Sequence, residues 1–282
     1  MNVDLNVKNF KWISNNKDND RKQINEFSGK NQGLGFGDLI NKISVYNRFT
    51  NEPTDINWYY TESDYEKVQV ISDLIFEKNK NLNYIKKPDI PYEDRFKFFT
   101  LKINDIINKN KLVNHTYQSC KVKKSDKKTK CVALVFYVNE PFADWKNLLK
   151  DPNWQYFNDK IVDREFVESV ISNLHNLGYK YRFLFDINDT RGNDKVITKS
   201  YDLVKTNLDI LSKVDAFIGV EGGWSHVARS MELPSLLFYR MSVFSEFLRN
   251  EFLEPFQYIE NNEEEFIYRM NQLLKSKFFF DV

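Results

Sequence analysis

The sequence predicts an α/β protein with parallel sheets, and three observations carry that expectation. In the second half of the chain, short apolar runs alternate with stretches whose apolar residues recur every three or four positions. Two of those runs, 131–138 (CVALVFYV) and 216–220 (AFIGV), contain no charged residue, the pattern of strands buried on both faces. Turn residues separate the segments, at Gly178, at Gly222 and Gly223, and at Pro234. The chain has 282 residues, 41% of them hydrophobic, enough for one large domain or two modest ones.

The elements follow in order. The first 30 residues are weakly patterned: 10–13 can form a short strand, 15–22 reads as a solvated loop, and 22–31 lacks a convincing strand pattern. Gly33, Gly35 and Gly37 then lead into Leu39, Ile40, Ile43, Tyr46 and Phe49, which have helical spacing. Strands are expected over 56–60 and 82–85, with helices over 65–76 and 96–107. The stretch 121–130 is strongly basic, has Val122 as its one apolar residue and no interleaved aromatic, and reads as an exposed loop or linker in preference to a nucleic-acid-binding segment. Beyond it a strand is expected over 131–138. A helix carries Phe166, Val167, Val170, Ile171 and Leu174 on one face, with Gly178 just past its end. Strands over 181–185, 216–220 and 235–239 alternate with helices over 203–211 and 226–231, and a helix over 263–274 closes the chain. The basic stretch suggests a boundary between an N-terminal domain, 1–125, and a C-terminal domain, 126–282.

Charge and cysteine content narrow the classes of function. Forty-one Lys and Arg against forty Asp and Glu leave a net charge of +1, so no global field favours nucleic acid or an anionic membrane. Cys120 and Cys131 are too few for a disulfide scaffold and read as two free thiols. The polar N-terminus has no signal-peptide pattern and no window reaches about 20 apolar residues. A cytoplasmic protein is expected. The two cysteines and the scattered His115, His175 and His226 have no zinc-site spacing, so no metal site is expected.

The strongest chemical signal is the segment from Asp215 to Tyr239. It reads as a buried strand, a glycine turn, a helix and a second buried strand. In open α/β sheets, ligands bind at the C-terminal ends of strands, which is where this turn falls. Gly222 and Gly223 let backbone approach a ligand, and a helix start beyond them offers free N–H groups and a positive dipole end to a phosphate. Glu221 can accept hydrogen bonds from ribose hydroxyls, and His226 can donate to a phosphate oxygen. Each has a plainer reading: the glycines as a tight turn, Glu221 as a helix N-terminal acid, His226 as a core histidine.

The second signal is Gly35, Phe36, Gly37 and Asp38, read as a loop beneath a ligand with a carboxylate at a helix start. Asp38 can serve as a general base, or it can simply cap the helix. Lys146, Lys150 and Trp154 follow the first strand of the second half. A lysine there can reach phosphates, or the stretch can be a solvated loop held by Trp145 and Trp154.

Taken together, the two motifs resemble the heptosyltransferase-like glycosyltransferases (glycosyltransferase family 9). The resemblance rests on Gly37-Asp38 at the first helix and on Glu221, Gly223 and His226, with Pro234 before the next strand. It implies the GT-B fold, two Rossmann-like domains whose parallel sheets face across a cleft. It implies transfer of a sugar from a nucleotide-diphosphate sugar to an acceptor hydroxyl, inverting and metal-independent. Asp38 would be the base on the acceptor side, beside Gly35, Phe36 and Gly37. Glu221, Gly222, Gly223, Trp224, Ser225 and His226 would hold the donor, with Lys150 as the phosphate-contacting lysine. The donor is then a substrate, and no separate cofactor is implied. The acceptor stays open among glycan, lipid, protein and modified nucleic acid. The chain departs from the family in having Glu221 where Asp is usual. A non-catalytic nucleotide-sugar-binding module and a nucleotide-sugar epimerase of the same fold remain as alternative expectations.

Overall fold

The computed structural model describes residues 21–27, 36–59, 67–87, 118–138, 161–184, 200–220, 222–239, 256–260 and 262–275. The expected segments 10–13 and 96–107 lie outside them, as do Lys146, Lys150 and Trp154. Among the described residues no helix is long and apolar enough to cross a membrane.

The N-terminal half is built on a three-stranded parallel sheet, order β1-β2-β3, from β1 (Lys22–Phe27), β2 (Thr54–Tyr59) and β3 (Leu82–Lys87). Helix α1 (Phe36–Phe49) lies between β1 and β2 in the chain, and a π-helical turn, Ile71–Ile75, precedes β3. Its Leu39, Ile40, Ile43 and Tyr46 join Ile24, Ile56 and Trp58 in the core, as the helical spacing predicts.

Strand β1 corrects the sequence reading of 22–31. Its only buried apolar residue is Ile24 among the described side chains, so periodicity is too faint to reveal it. What holds it is a polar ladder. Gln23 lies opposite Asp55 in register and donates to its Oδ2 at 3.0 Å. Asn57 donates to Gln23 Oε1 at 2.8 Å, and Arg21 donates to Asp55 Oδ1 at 2.6 Å. Arg21 also reaches the carbonyls of Thr54 and Asn81, both at 3.0 Å. Asp55 is only 5% exposed, so its carboxylate is viable there because these donors surround it. Burial alone would raise its pKa. The hydrogen bonds from Arg21 and Gln23 outweigh burial and hold it below the ordinary value.

The C-terminal half is a five-stranded parallel sheet, order β10-β9-β8-β4-β7. Its strands are β4 (Cys131–Val135), β7 (Lys180–Phe183), β8 (Ala216–Val220), β9 (Ser235–Tyr239) and β10 (Phe256–Glu260). Helices α2 (Arg164–Asn176), α3 (Ser200–Ser212), α4 (Gly223–Ser230) and α5 (Glu263–Lys275) alternate with them. Strand β10 has no counterpart in the sequence reading. The expected strand 131–138 is broken after Val135; Tyr137–Val138 forms β5 and pairs separately with β6 (Ile161–Val162). Gly178 takes φ +74 at the end of α2, the left-handed conformation that makes glycine a helix stop. Burial is complete along β8, at the centre of the sheet, while the edge strand β7 is largely exposed.

Gly219 sets how closely β8 can lie against β4. A Cβ built there would fall 2.2 Å from the carbonyl oxygen of Val135. That obstacle is backbone in the middle of a sheet and cannot swing aside.

The two halves share one hydrophobic core and are tied by the segment 118–122. Gln118 N–H donates to Ser44 Oγ in α1 at 2.6 Å, and Lys121 N–H donates to the carbonyl of Ile75 at 2.7 Å. Cys120 N–H donates to the carbonyl of Ser230 in α4 at 2.8 Å. Cys120 is thus buried in the seam, and burial pushes its thiol up to about 11; it and Cys131 are both free.

Two predictions follow from this packing. Gly219→Ala is expected to lower stability by about 1–3 kcal/mol, the usual cost of overpacking a core, read as a fall in the thermal midpoint. A midpoint equal to that of the wild type would show that β4 and β8 separate freely. Because the folded-state pKa of Asp55 is depressed, its stabilising contribution is complete above the ordinary aspartate value of about 3.8 and is lost as pH falls through the folded-state value. In denaturant titrations across the acid range, Asp55→Asn should flatten this part of the stability profile. An unchanged acid profile would show that Asp55 plays no part.

Candidate functional site

The two glycine-bearing segments singled out from the sequence meet in space. Strand β8 ends at Val220 and α4 begins at Gly223; on the other half, α1 begins at Phe36. The first turns of α1 and α4 pack directly on each other. A Cβ built on Gly37 would lie 2.8 Å from His226 Cδ2, 3.2 Å from His226 Nε2 and 3.4 Å from the Cα of Gly223. A Cβ built on Gly223 would lie 2.4 Å from Phe36 Cδ1. The rings of Phe36 and Trp224 are tilted at 54° with centroids 5.3 Å apart. Both are buried, at 6% and 3% exposure.

Three expectations change on this geometry. Phe36 and Gly37 belong to the first turn of α1 rather than to a loop. Helix α4 begins three residues earlier than expected, so Gly223, Trp224 and Ser225 are helical. A buried Trp pressed on a neighbouring helix supplies the apolar drive that the sequence pattern missed. Gly223 is small because Phe36 lies over it, so this face of the glycine is covered by a side chain. The close approach anticipated for a ligand is here an approach between helices.

The hydrogen bonds around Gly222 sort the expected donors. Gly222 N–H donates to Ser225 Oγ at 3.2 Å, and that hydroxyl donates to the Gly222 carbonyl at 2.7 Å. The backbone N–H groups of Ser225 and His226 donate to the same carbonyl, at 3.1 and 3.4 Å. Ser225 therefore caps its own helix, and three of the amides expected to hold phosphate are engaged inside the turn. The N–H groups of Gly223 and Trp224, the first two of α4, have no intrahelical acceptor, as at any helix start. The indole Nε1 of Trp224 is buried with no hydrogen-bond partner among the described residues. His226 is half-buried beside Gly37.

Of the remaining expected residues, Asp38 lies in the first turn of α1, one residue past Gly37. Glu221, Gly35 and Lys150 lie outside the described residues. Arg229, which the sequence reading passed over, is a buried cation in the last turn of α4. A basic residue at a helix C-terminus complements the dipole, and that position was its only signal.

The arrangement brings together two helix N-termini, an imidazole, first-turn amides without an intrahelical acceptor and a carboxylate-bearing residue. Helix N-termini carry roughly half a positive charge each, so their convergence favours an anion at this place. Against protein-family models, curated proteins and solved structures, the chain gives no match.

Gly223→Ala is expected to force Phe36 aside and to destabilise by about 1–3 kcal/mol. Adding Phe36→Ala should recover part of that loss by removing the obstacle, which a double-mutant cycle of thermal midpoints would show as coupling. Strict additivity would mean that the two residues do not touch.

Proposed function

We propose that the chain is a glycosyltransferase that moves a sugar from a nucleotide-diphosphate sugar to an acceptor hydroxyl. The observation that carries this reading is the meeting of Gly37, at the start of α1, with Gly223 and His226, at the start of α4. Each helix lies C-terminal to a strand of a parallel sheet, the end of an α/β sheet where ligands collect. In this proposal the two sheets present those ends to a shared cleft.

The reaction is a single displacement. Asp38 takes the proton of the acceptor hydroxyl, and the acceptor oxygen attacks the anomeric carbon. The bond from that carbon to the diphosphate oxygen breaks, its electron pair leaves with the diphosphate, and configuration inverts. The amides of Gly223 and Trp224 and the positive end of α4 stabilise the charge that gathers on the leaving group. His226 and Lys150 supply further donors, Glu221 holds the ribose, and no metal takes part in the proposed step. The second reading is a non-catalytic nucleotide-sugar-binding module; because Phe36 and His226 fill the space flanking the two glycines, in either reading the ligand meets the amides from another side.

A panel of nucleoside diphosphates and nucleotide sugars tests the binding claim by thermal shift. A ligand at a hundredfold excess over its Kd stabilises the native state by about 2.7 kcal/mol. The midpoint should rise by about 5 °C or more with one nucleotide class; no rise with any of them overturns the reading. Asp38→Asn should then keep the shift and lose about a hundredfold or more of transfer. Full transfer by the variant would remove Asp38 from the base role, and binding without transfer to any acceptor would favour the non-catalytic module.

A further inference from the structure

The basic stretch 121–130 is not a slack linker, and it lies at the end of the five-stranded sheet remote from the α4 N-terminus. Its lysines precede β4, and the loop is fastened to the starts of the neighbouring elements. Asp215, buried just ahead of β8, accepts from Thr129 N–H at 3.1 and 3.3 Å and from Cys131 N–H at 3.3 Å. Thr129 Oγ1 donates to the carbonyl of Lys213 at 2.9 Å, and Ser125 N–H donates to the carbonyl of Ser212 at 2.8 Å. Lys124 Nζ reaches the carbonyl of Asp215 at 3.5 Å. Lys130 is held in the left-handed region, at φ 47, and its carbonyl accepts from Lys180 N–H at 2.8 Å. The loop thus holds Lys123, Lys127, Lys128 and Lys130 exposed, and Lys130 abuts Lys180, which with Arg182 is exposed on β7. The one acid in the loop is Asp126, and nearby Asp209 is engaged by Lys213 at 2.7 Å. Because the whole chain is charged only +1, this concentration of cations is a local feature and not a by-product of a basic protein.

Beside these cations runs an open groove of about 740 Å³. Its walls include His175, Tyr179, Tyr181 and Ile210, with Lys180 and Arg182 at the strand. Tyr181 lies 5.5 Å from the ring of Phe183, edge to face, and 5.7 Å from the imidazole of His175. Phe183 is 43% exposed, a large aromatic left in solvent. Along β7, cations and aromatics alternate, so Lys180 and Arg182 leave one face of the strand while Tyr181 and Phe183 leave the other.

We propose that this groove and its lysine rim form a docking surface for single-stranded nucleic acid. Phosphates pair with the rim, and unstacked bases lie on Tyr181 and Phe183. Charge complementarity selects a polyanion, and the alternation of cation and ring at one edge strand matches what a single strand offers. Tyr181 lines a concavity, which a flexible strand can enter and a flat bilayer cannot, and the exposed Phe183 ring packs edge to face on Tyr181. The surface is separate from the α1–α4 contact, so the inference stands or falls independently of the transferase reading.

Fluorescence anisotropy with the full chain and a labelled oligouridylate of about 16 nucleotides tests it. Binding should weaken with salt, log affinity falling against log salt with a slope of about −0.7 per phosphate engaged. Lys127→Glu with Lys128→Glu should weaken binding at least about tenfold and make that slope shallower by about 1 or more. Phe183→Ala should weaken binding about tenfold while leaving the slope unchanged, the mark of lost stacking. All of these side chains are exposed, and unchanged thermal midpoints will show that the variants fold. Several results would overturn the proposal: no binding at low salt, equal affinity for a duplex of the same length, or indifference to Phe183→Ala. Sedimentation with phosphatidylserine vesicles in the absence of oligonucleotide binding would overturn it in favour of a membrane surface.

Discussion

The contact between the first turns of α1 and α4 depends on two missing side chains. Gly37 lets the His226 ring lie against α1, and Gly223 lets the Phe36 ring lie against α4. A methyl group at either place would occupy space already filled, and a protein interior has little slack to absorb it. The core of the N-terminal sheet and the core of the C-terminal sheet are continuous through this crossing, helped by the Phe36–Trp224 ring pair. The seam segment at Gln118, Cys120 and Lys121 ties Ser44, Ser230 and Ile75 around the same joint. Wherever a ligand binds near these helix starts, it meets a surface that the two halves build together.

The same crossing sets the electrostatics. Two helix N-termini directed to one place would repel if nothing answered their charge. Part of the answer is local: Ser225 caps α4 through Gly222, which satisfies several first-turn groups without a ligand. The part left over, the amides of Gly223 and Trp224, is what the transferase proposal uses. Catalysis of the proposed kind needs donors already in place when charge develops on the leaving group, and amides at a packed helix start are held in that way.

Elsewhere, charge is managed by enclosure. Asp55 and Asp215 are both buried carboxylates, and each organises backbone from distant segments. Asp55 draws Arg21 and Gln23 onto β2 and so makes a strand of a polar sequence. Asp215 accepts from the backbone of Thr129 and Cys131 and so converts a lysine-rich stretch from a tether into a fixed loop. In both cases the cost of removing a carboxylate from water is offset by hydrogen bonds that also set the course of the chain.

The sequence by itself determined the class of fold and most of the C-terminal elements. Apolar runs such as 216–220 and the three- and four-residue spacing around Phe166 and Val170 reflect burial, which leaves a periodic trace. It also singled out Gly37 in one motif and Gly223 and His226 in another, though not that they touch. Only the tertiary structure decided what had no periodic trace. Strand β1 rests on cross-strand polar partners 30 or so residues away, and no local pattern can show them. The early start of α4 rests on Trp224 finding Phe36, and the fixed course of 121–130 rests on Asp215. These are long-range pairings, and a partner's identity is written in a different part of the chain from the residue that needs it.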